Sequence, residues 1–140
     1  QFFEGDDGVT RVAKDSLNSK SEILSYIDNE AVNKYLSKLN EEYIAERKKI
    51  NIKKKMLAVD SAYIREHVKS MNKDLTEVRV IPKSEAFKTV MQIYDNKISY
   101  ITISENKKIG VIIEDTDIVH MNKIVFQALW DKAEVLEIGA

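Results

Sequence analysis

The stretch that most constrains the fold is 107–130. Ile109, Val111, Ile112 and Ile113 form a β-branched run that fits a strand buried on both faces. Glu114-Asp115-Thr116-Asp117 then supplies N-cap residues whose charge suits the positive end of a helix. Apolar residues follow at 118, 121, 125, 128 and 129, the spacing of one helical face. Phe126 and Trp130 add a second apolar ridge on the same helix. A buried strand feeding a helix wide enough to cover a sheet is the joint of an α/β domain.

The rest of the chain fits that joint. Phe2-Phe3-Glu4 reads as a short first strand and Gly5-Asp6-Asp7-Gly8 as a turn. A helix with Val9, Val12, Ala13 and Leu17 inward should follow. Strand two is Glu22–Ile27. Asp28-Asn29 caps a long helix over about 30–49, with Val32, Tyr35, Leu36, Leu39, Tyr43 and Ile44 inward. Lys54–Val59 is strand three. Asp60-Ser61 caps a helix over about 62–72 that buries Tyr63, Ile64, Val68 and Met71. Glu77–Ile81 is strand four, closed by Pro82. From there the period changes: Val90–Tyr94, Ile98–Ser104 and Lys108–Ile113 are strands with short links, the first a tight hairpin at Asp95-Asn96. The tail, 134–140, has the composition of either a strand or a frayed end. The expected architecture is an α/β mixed sheet of about seven strands flanked by helices. A parallel half made by crossovers joins an antiparallel half made by hairpins.

At 140 residues, one domain spanning 1–140 is expected. Such a chain hides roughly two thirds of its unfolded surface, enough for a core without staples. It has no cysteine, hence no disulfide framework and no thiolate chemistry. It has no apolar run long enough for a membrane span and no signal-peptide pattern. A soluble, cytoplasmic protein without membrane contact is expected. Lys+Arg of 22 against Asp+Glu of 23 gives a net charge of −1, less basic than a free-standing nucleic-acid binder. The start at Gln1, almost directly on Phe2-Phe3, suggests a piece of a longer polypeptide.

Several constellations carry possible chemistry. His67-x-Lys69-x4-Asp74 matches, as text, the HxKxxxxD motif of phospholipase D-type phosphodiesterases. There the His attacks phosphorus and the Lys holds phosphate oxygens. That chemistry needs the two side chains together on a strand. Here the surrounding residues 64–74 are helically spaced, which scatters them around an axis. The cluster Arg47, Lys48, Lys49, Lys53, Lys54 and Lys55 reads first as a solvated helix C-terminus and second as an anion contact. His120 lacks companions for a metal site. Tyr94, Lys97 and Tyr100 lie at the hairpin, where an aromatic and a cation can line a polar pocket or pack across strands. There is no nucleophilic triad, Walker loop or Rossmann fingerprint, so no cofactor is expected.

Taken in order, the motifs resemble the C-terminal regulatory domain of TrmB-like transcriptional regulators. The resemblance rests on Phe3-Glu4-Gly5-Asp6-Asp7-Gly8-Val9, Glu46-Arg47-Lys48-Lys49, Val78-Arg79-Val80-Ile81-Pro82 and Ile93-Tyr94-Asp95-Asn96-Lys97-Ile98. It continues through Gly110-Val111-Ile112-Ile113-Glu114 and Ile124-Val125-Phe126-Gln127-Ala128-Leu129-Trp130. It implies a phospholipase D-like fold without catalytic residues, acting as an effector-sensing and dimerising domain behind a winged helix-turn-helix. These residues contain no such reading head, so DNA contact is expected only through a domain outside them. The expected partners are a second copy of the chain and a small effector, a sugar or another polar ligand. Tyr94, Lys97 and Glu114, at the ends of adjacent strands, are the expected ligand contacts. The alternatives are a phosphodiesterase using His67, Lys69 and Asp74, or an interaction module without a small ligand.

Overall fold

A computed structural model describes residues 1–85 and 87–139 of the chain. Eight strands are named in chain order: β1 (Phe2–Glu4), β2 (Ile23–Ile27), β3 (Lys54–Val59), β4 (Thr76–Ile81), β5 (Thr89–Tyr94), β6 (Lys97–Thr102), β7 (Ile109–Glu114) and β8 (Glu134–Leu136). The helices are α1 (Gly5–Asp15), α2 (Asn29–Tyr35), α3 (Ser37–Ile50), α4 (Ala62–His67) and α5 (Thr116–Lys132). The strands form one mixed sheet in the order β1-β7-β6-β5-β2-β3-β4-β8. β2, β3 and β4 run parallel, and β5 joins β2 antiparallel to begin the hairpin half.

Three helix starts lie where the capping residues place them. Asp28 accepts the Ala31 N–H at 3.1 Å, Ser61 the Ile64 N–H at 3.1 Å, and Asp115 the Ile118 N–H at 2.9 Å. The hairpin turn is also as read: Tyr94 pairs with Lys97 around Asp95, whose φ of 52° is left-handed.

Four expectations are corrected, and the open reading of the tail is resolved. β1 does not enter the parallel half; it pairs antiparallel with β7 at the far edge, so β7 is only half-buried rather than covered on both faces. A three-residue strand has too little pattern to choose a neighbour. Gly5–Gly8 is not a free turn but the first turn of α1, entered through a Gly5 φ of 77°. The helix expected over 30–49 is two helices broken at Leu36, whose φ of −133° and ψ of 28° are not helical, and Tyr35 and Ile44 are exposed. The helix expected over 62–72 ends at His67 and continues as a 3-10 turn, Val68–Ser70. The tail adds β8, antiparallel to β4; Ala140 lies outside the described residues.

The sheet separates two cores. α1 to α4 cover one face, where Val9, Val12, Val32, Tyr43, Ile64 and Val68 meet Met56, Val78 and Val90. α1 closes on β7 because Gly110 has no side chain: a Cβ there would lie 2.6 Å from Val12 Cγ2. α5 covers the other face alone, with Val119, Phe126 and Trp130 against Leu57, Ile93 and Ile98. Of the two apolar stripes of α5, the one at 118, 121, 125, 128 and 129 is therefore the outward one. Ile118, Met121, Val125 and Leu129 are 38–61% exposed, and Ala128 is exposed with them. Phe126 and Trp130 take the sheet with Val119, their rings stacked with centroids 5.7 Å apart.

Candidate functional site

Strand alternation places a polar row on the α1–α4 face. Ser25 lies between Gln92 and Met56 in register, and Gln92 opposes Ser99. One row away, Lys54 opposes Thr76. α3 crosses above and lowers two side chains, Tyr43 and Arg47, spaced one helical turn apart on its inner stripe.

Tyr43 is the hub. Its hydroxyl lies 2.6 Å from Ser16 Oγ, 3.2 Å from Gln92 Nε2 and 3.3 Å from Lys54 Nζ. The Lys54 ammonium also lies 4.5 Å from the Tyr43 ring centroid. Lys54 is 5% exposed, and this burial pulls its pKa below the usual lysine value. Arg47 donates to the Ile52 carbonyl at 2.9 Å, the Leu75 carbonyl at 3.0 Å and Thr76 Oγ1 at 2.7 Å. Among the described residues, no carboxylate lies within ion-pair distance of either cation.

Three buried polar atoms here have no partner among the described residues: Ser25 Oγ, Asn29 Oδ1 and Gln92 Oε1. Each unpaired buried group costs about 1–3 kcal/mol, so three in one neighbourhood mark a place not completed by the fold. Asn29 and Gln92 border a cavity of about 330 Å³ between α3 and the sheet. Tyr43, Arg47 and Lys54 line it together with the apolar Val32, Leu36, Leu39 and Met71, and Asn40, His67, Ser70 and Asn72 also border it. No acidic residue is among the lining side chains.

Arg47 and Lys54 correct the first reading of the basic cluster as a solvated helix end. Lys48, Lys49 and Lys53 do face solvent, but Arg47 and Lys54 point inward. The signal was available. Arg47 continues the stripe Leu36, Leu39, Tyr43 along α3, and Lys54 is in phase with Met56 and Ala58 along β3.

The expected contacts lie elsewhere. Tyr94 donates to Asp15 Oδ2 at 2.8 Å and Lys97 Nζ reaches the same oxygen at 3.1 Å. Burial and the Asp15 carboxylate push the Tyr94 phenol far above its ordinary range. Glu114 stands opposite Lys97 in register but is exposed. Asp15 is the residue that joins Tyr94 to Lys97, and sequence spacing gave no sign of it.

The stretch holding His67, Lys69 and Asp74 is helical through Ser70, as its spacing predicts. The His67 ring stacks on Tyr63 with centroids 5.3 Å apart, Lys69 Nζ sits 2.9 Å from Glu66, and the Asp74 N–H binds Asn72 Oδ1 at 2.8 Å. His67 borders the cavity, while Lys69 is exposed. His120 is exposed on α5, and among the described residues no group of three or more His, Cys, Asp or Glu could hold a metal. No described helix is long and apolar enough to cross a membrane.

An eight-stranded mixed sheet with four helices on one face and a long one on the other is the phospholipase D-like α/β fold. The particular structures it is similar to are of two kinds. One is TrmBL2, an archaeal chromatin protein with a novel mode of DNA binding, at 20% identity and a TM-score of 0.65, covering 96% of this chain and 52% of that one. The other kind is the phospholipase D family member Nuc from Salmonella typhimurium, at 13% identity and a TM-score of 0.65, covering 96% of this chain and 95% of Nuc. NucT from Helicobacter pylori matches at 13% identity and a TM-score of 0.59, covering 96% and 97%. The chain thus spans about half the length of TrmBL2. No protein-family model matches the sequence. No curated protein matches it either.

Proposed function

We propose that this chain is a non-catalytic effector-sensing and dimerisation domain of a TrmB-like transcriptional regulator, contacting DNA through a domain outside these residues. One observation carries the sensing role: a cavity between α3 and the sheet whose buried polar atoms the fold leaves unpartnered. Sites for small molecules are concave, mostly apolar and fixed by a few polar groups, which describes this cavity. The fold shared with TrmBL2 supports the regulatory setting. The helical setting of His67 and the tie between Lys69 and Glu66 support a non-catalytic role, because neither side chain is held for phosphoryl chemistry. The exposed apolar strip of α5 supports self-association.

A thermal-shift screen with sugars, nucleotides, phosphates and organic acids, run beside a chromogenic phosphodiester assay, tests this. A ligand at about a hundred times its Kd should stabilise the fold by about 2.7 kcal/mol, a rise of several degrees in Tm, with no phosphodiester turnover. Turnover that His67→Ala abolishes would establish the enzyme instead. A screen without a single shift would leave an interaction module.

A further inference from the structure

We infer that the cavity beneath α3 takes a small hydroxy acid: a carboxylate against Lys54 and Tyr43, a hydroxyl toward Gln92 and Asn29, and a hydrocarbon body against the apolar side chains of the wall. This rests on the effector-sensing proposal and names the ligand class for it.

The charge is argued from Lys54. An ammonium has three N–H donors, and among the described residues the one acceptor Lys54 reaches is the Tyr43 hydroxyl, at 3.3 Å. The cavity wall holds Arg47, Lys48 and Lys54 and no acid. A buried cation without a counter-charge is unfavourable, and a bound carboxylate relieves it. Arg47 has a different task. Its guanidinium already donates to two carbonyls and Thr76, so it anchors α3 to the β3 and β4 approaches and adds positive potential without needing the ligand. Lys48 is exposed at the rim and places a positive charge where an anion would enter.

The hydroxyl is argued from the amides. Asn29 donates to Met56 Sδ at 3.5 Å and Gln92 donates to Tyr43, which leaves their carbonyl oxygens facing the cavity without a donor. A ligand hydroxyl supplies one; a second cationic group would meet Lys54. The size follows from the volume. About 330 Å³ sits at the small end of the range for ligand pockets, about 300–1,000 Å³. The body is apolar because Val32, Leu36, Leu39, Met56, Met71 and Val90 are in the same wall.

The test is binding by calorimetry to the full chain of branched aliphatic and aromatic α-hydroxy acids. The comparison compounds are their neutral amides, the acids lacking the hydroxyl, neutral sugars and inorganic phosphate. The best hydroxy acid should bind at least tenfold tighter than its amide and several-fold tighter than the deoxy acid. In Lys54→Met the acid-over-amide preference should fall to within about twofold with no fall in Tm, so that loss of preference is not loss of fold. Equal binding of acid and amide in the wild type would overturn the inference, as would equal binding of acid and deoxy acid. Phosphate binding as well as the best acid would overturn the apolar body. Sugars binding where no acid does would overturn it too, yet leave effector sensing standing. Silence from every compound would remove both.

Discussion

Lys54 is where packing and chemistry disagree. An aliphatic side chain of the same length would fill the space under α3 without a buried charge. Lys54→Met is therefore expected to be more stable than the wild type by about 1–2 kcal/mol at pH 7, measured by urea unfolding. The pH dependence has a definite sign. Burial lowers the folded pKa of Lys54 below its unfolded value. Between the two, the unfolded chain binds the extra proton, so wild-type stability from this group rises with pH. The advantage of the methionine variant should therefore shrink as pH climbs toward about 10, the unfolded lysine pKa. An advantage that grows with pH would mean that Lys54 is stabilised as a cation in the fold. Arg47 and Lys54 were legible by phase, each lying on an apolar stripe, but a run of six neighbouring cations hides these two among three that face solvent, with Lys55 turned to the α5 side. Asp15 was not legible, because its link to Tyr94 and Lys97 joins a helix end to a hairpin far along the chain.

At the scale of elements, α5 is the informative one. Its existence, its Asp115 cap and its place after β7 were all readable from local residues. Its rotation was not, since the sequence offers two apolar stripes and only the sheet surface decides between them. Val119, Phe126 and Trp130 take the sheet, and the Arg79 guanidinium holds the helix end by donating to the Trp130 carbonyl at 2.8 Å. The losing stripe, Ile118, Met121, Val125 and Leu129, is left facing water, with Val135 of β8 also 55% exposed. If this strip joins two copies, Met121→Lys combined with Val125→Lys should halve the mass seen by light scattering and leave the helical circular dichroism unchanged. A wild type that is already monomeric at high concentration would remove self-association from the proposal. The break at Leu36 belongs to the same scale: the apolar spacing runs on through it, so only the backbone reveals two helices.

For the molecule as a whole, the sheet is stitched at β2 and β5, where the parallel and antiparallel halves meet. Ser25, Leu57 and Ile93 lie in strands with neighbours on both sides and are fully buried, whereas β1 and β8 form the two edges. Hydrogen exchange should therefore be slowest in β2, β3 and β5 and faster by orders of magnitude in β1 and β8. Comparable protection at the edges would mean that they are covered by a partner in solution. The division into a crossover half and a hairpin half was legible, because short links and helical connections are local events. The antiparallel seat of β1 on β7 was not, because it closes the chain across more than a hundred residues.

β3 is the wall shared by the two cores, and it is one residue thick. Lys54 faces the cavity; its neighbour Lys55 extends over the Trp130 ring on the opposite side, 5.8 Å from the centroid. A guest that tugs on the first ammonium has one peptide unit to cross before the second feels it. If the cavity holds a ligand as proposed, a displacement of Lys54 would be carried to Lys55 and the Trp130 ring through that single unit.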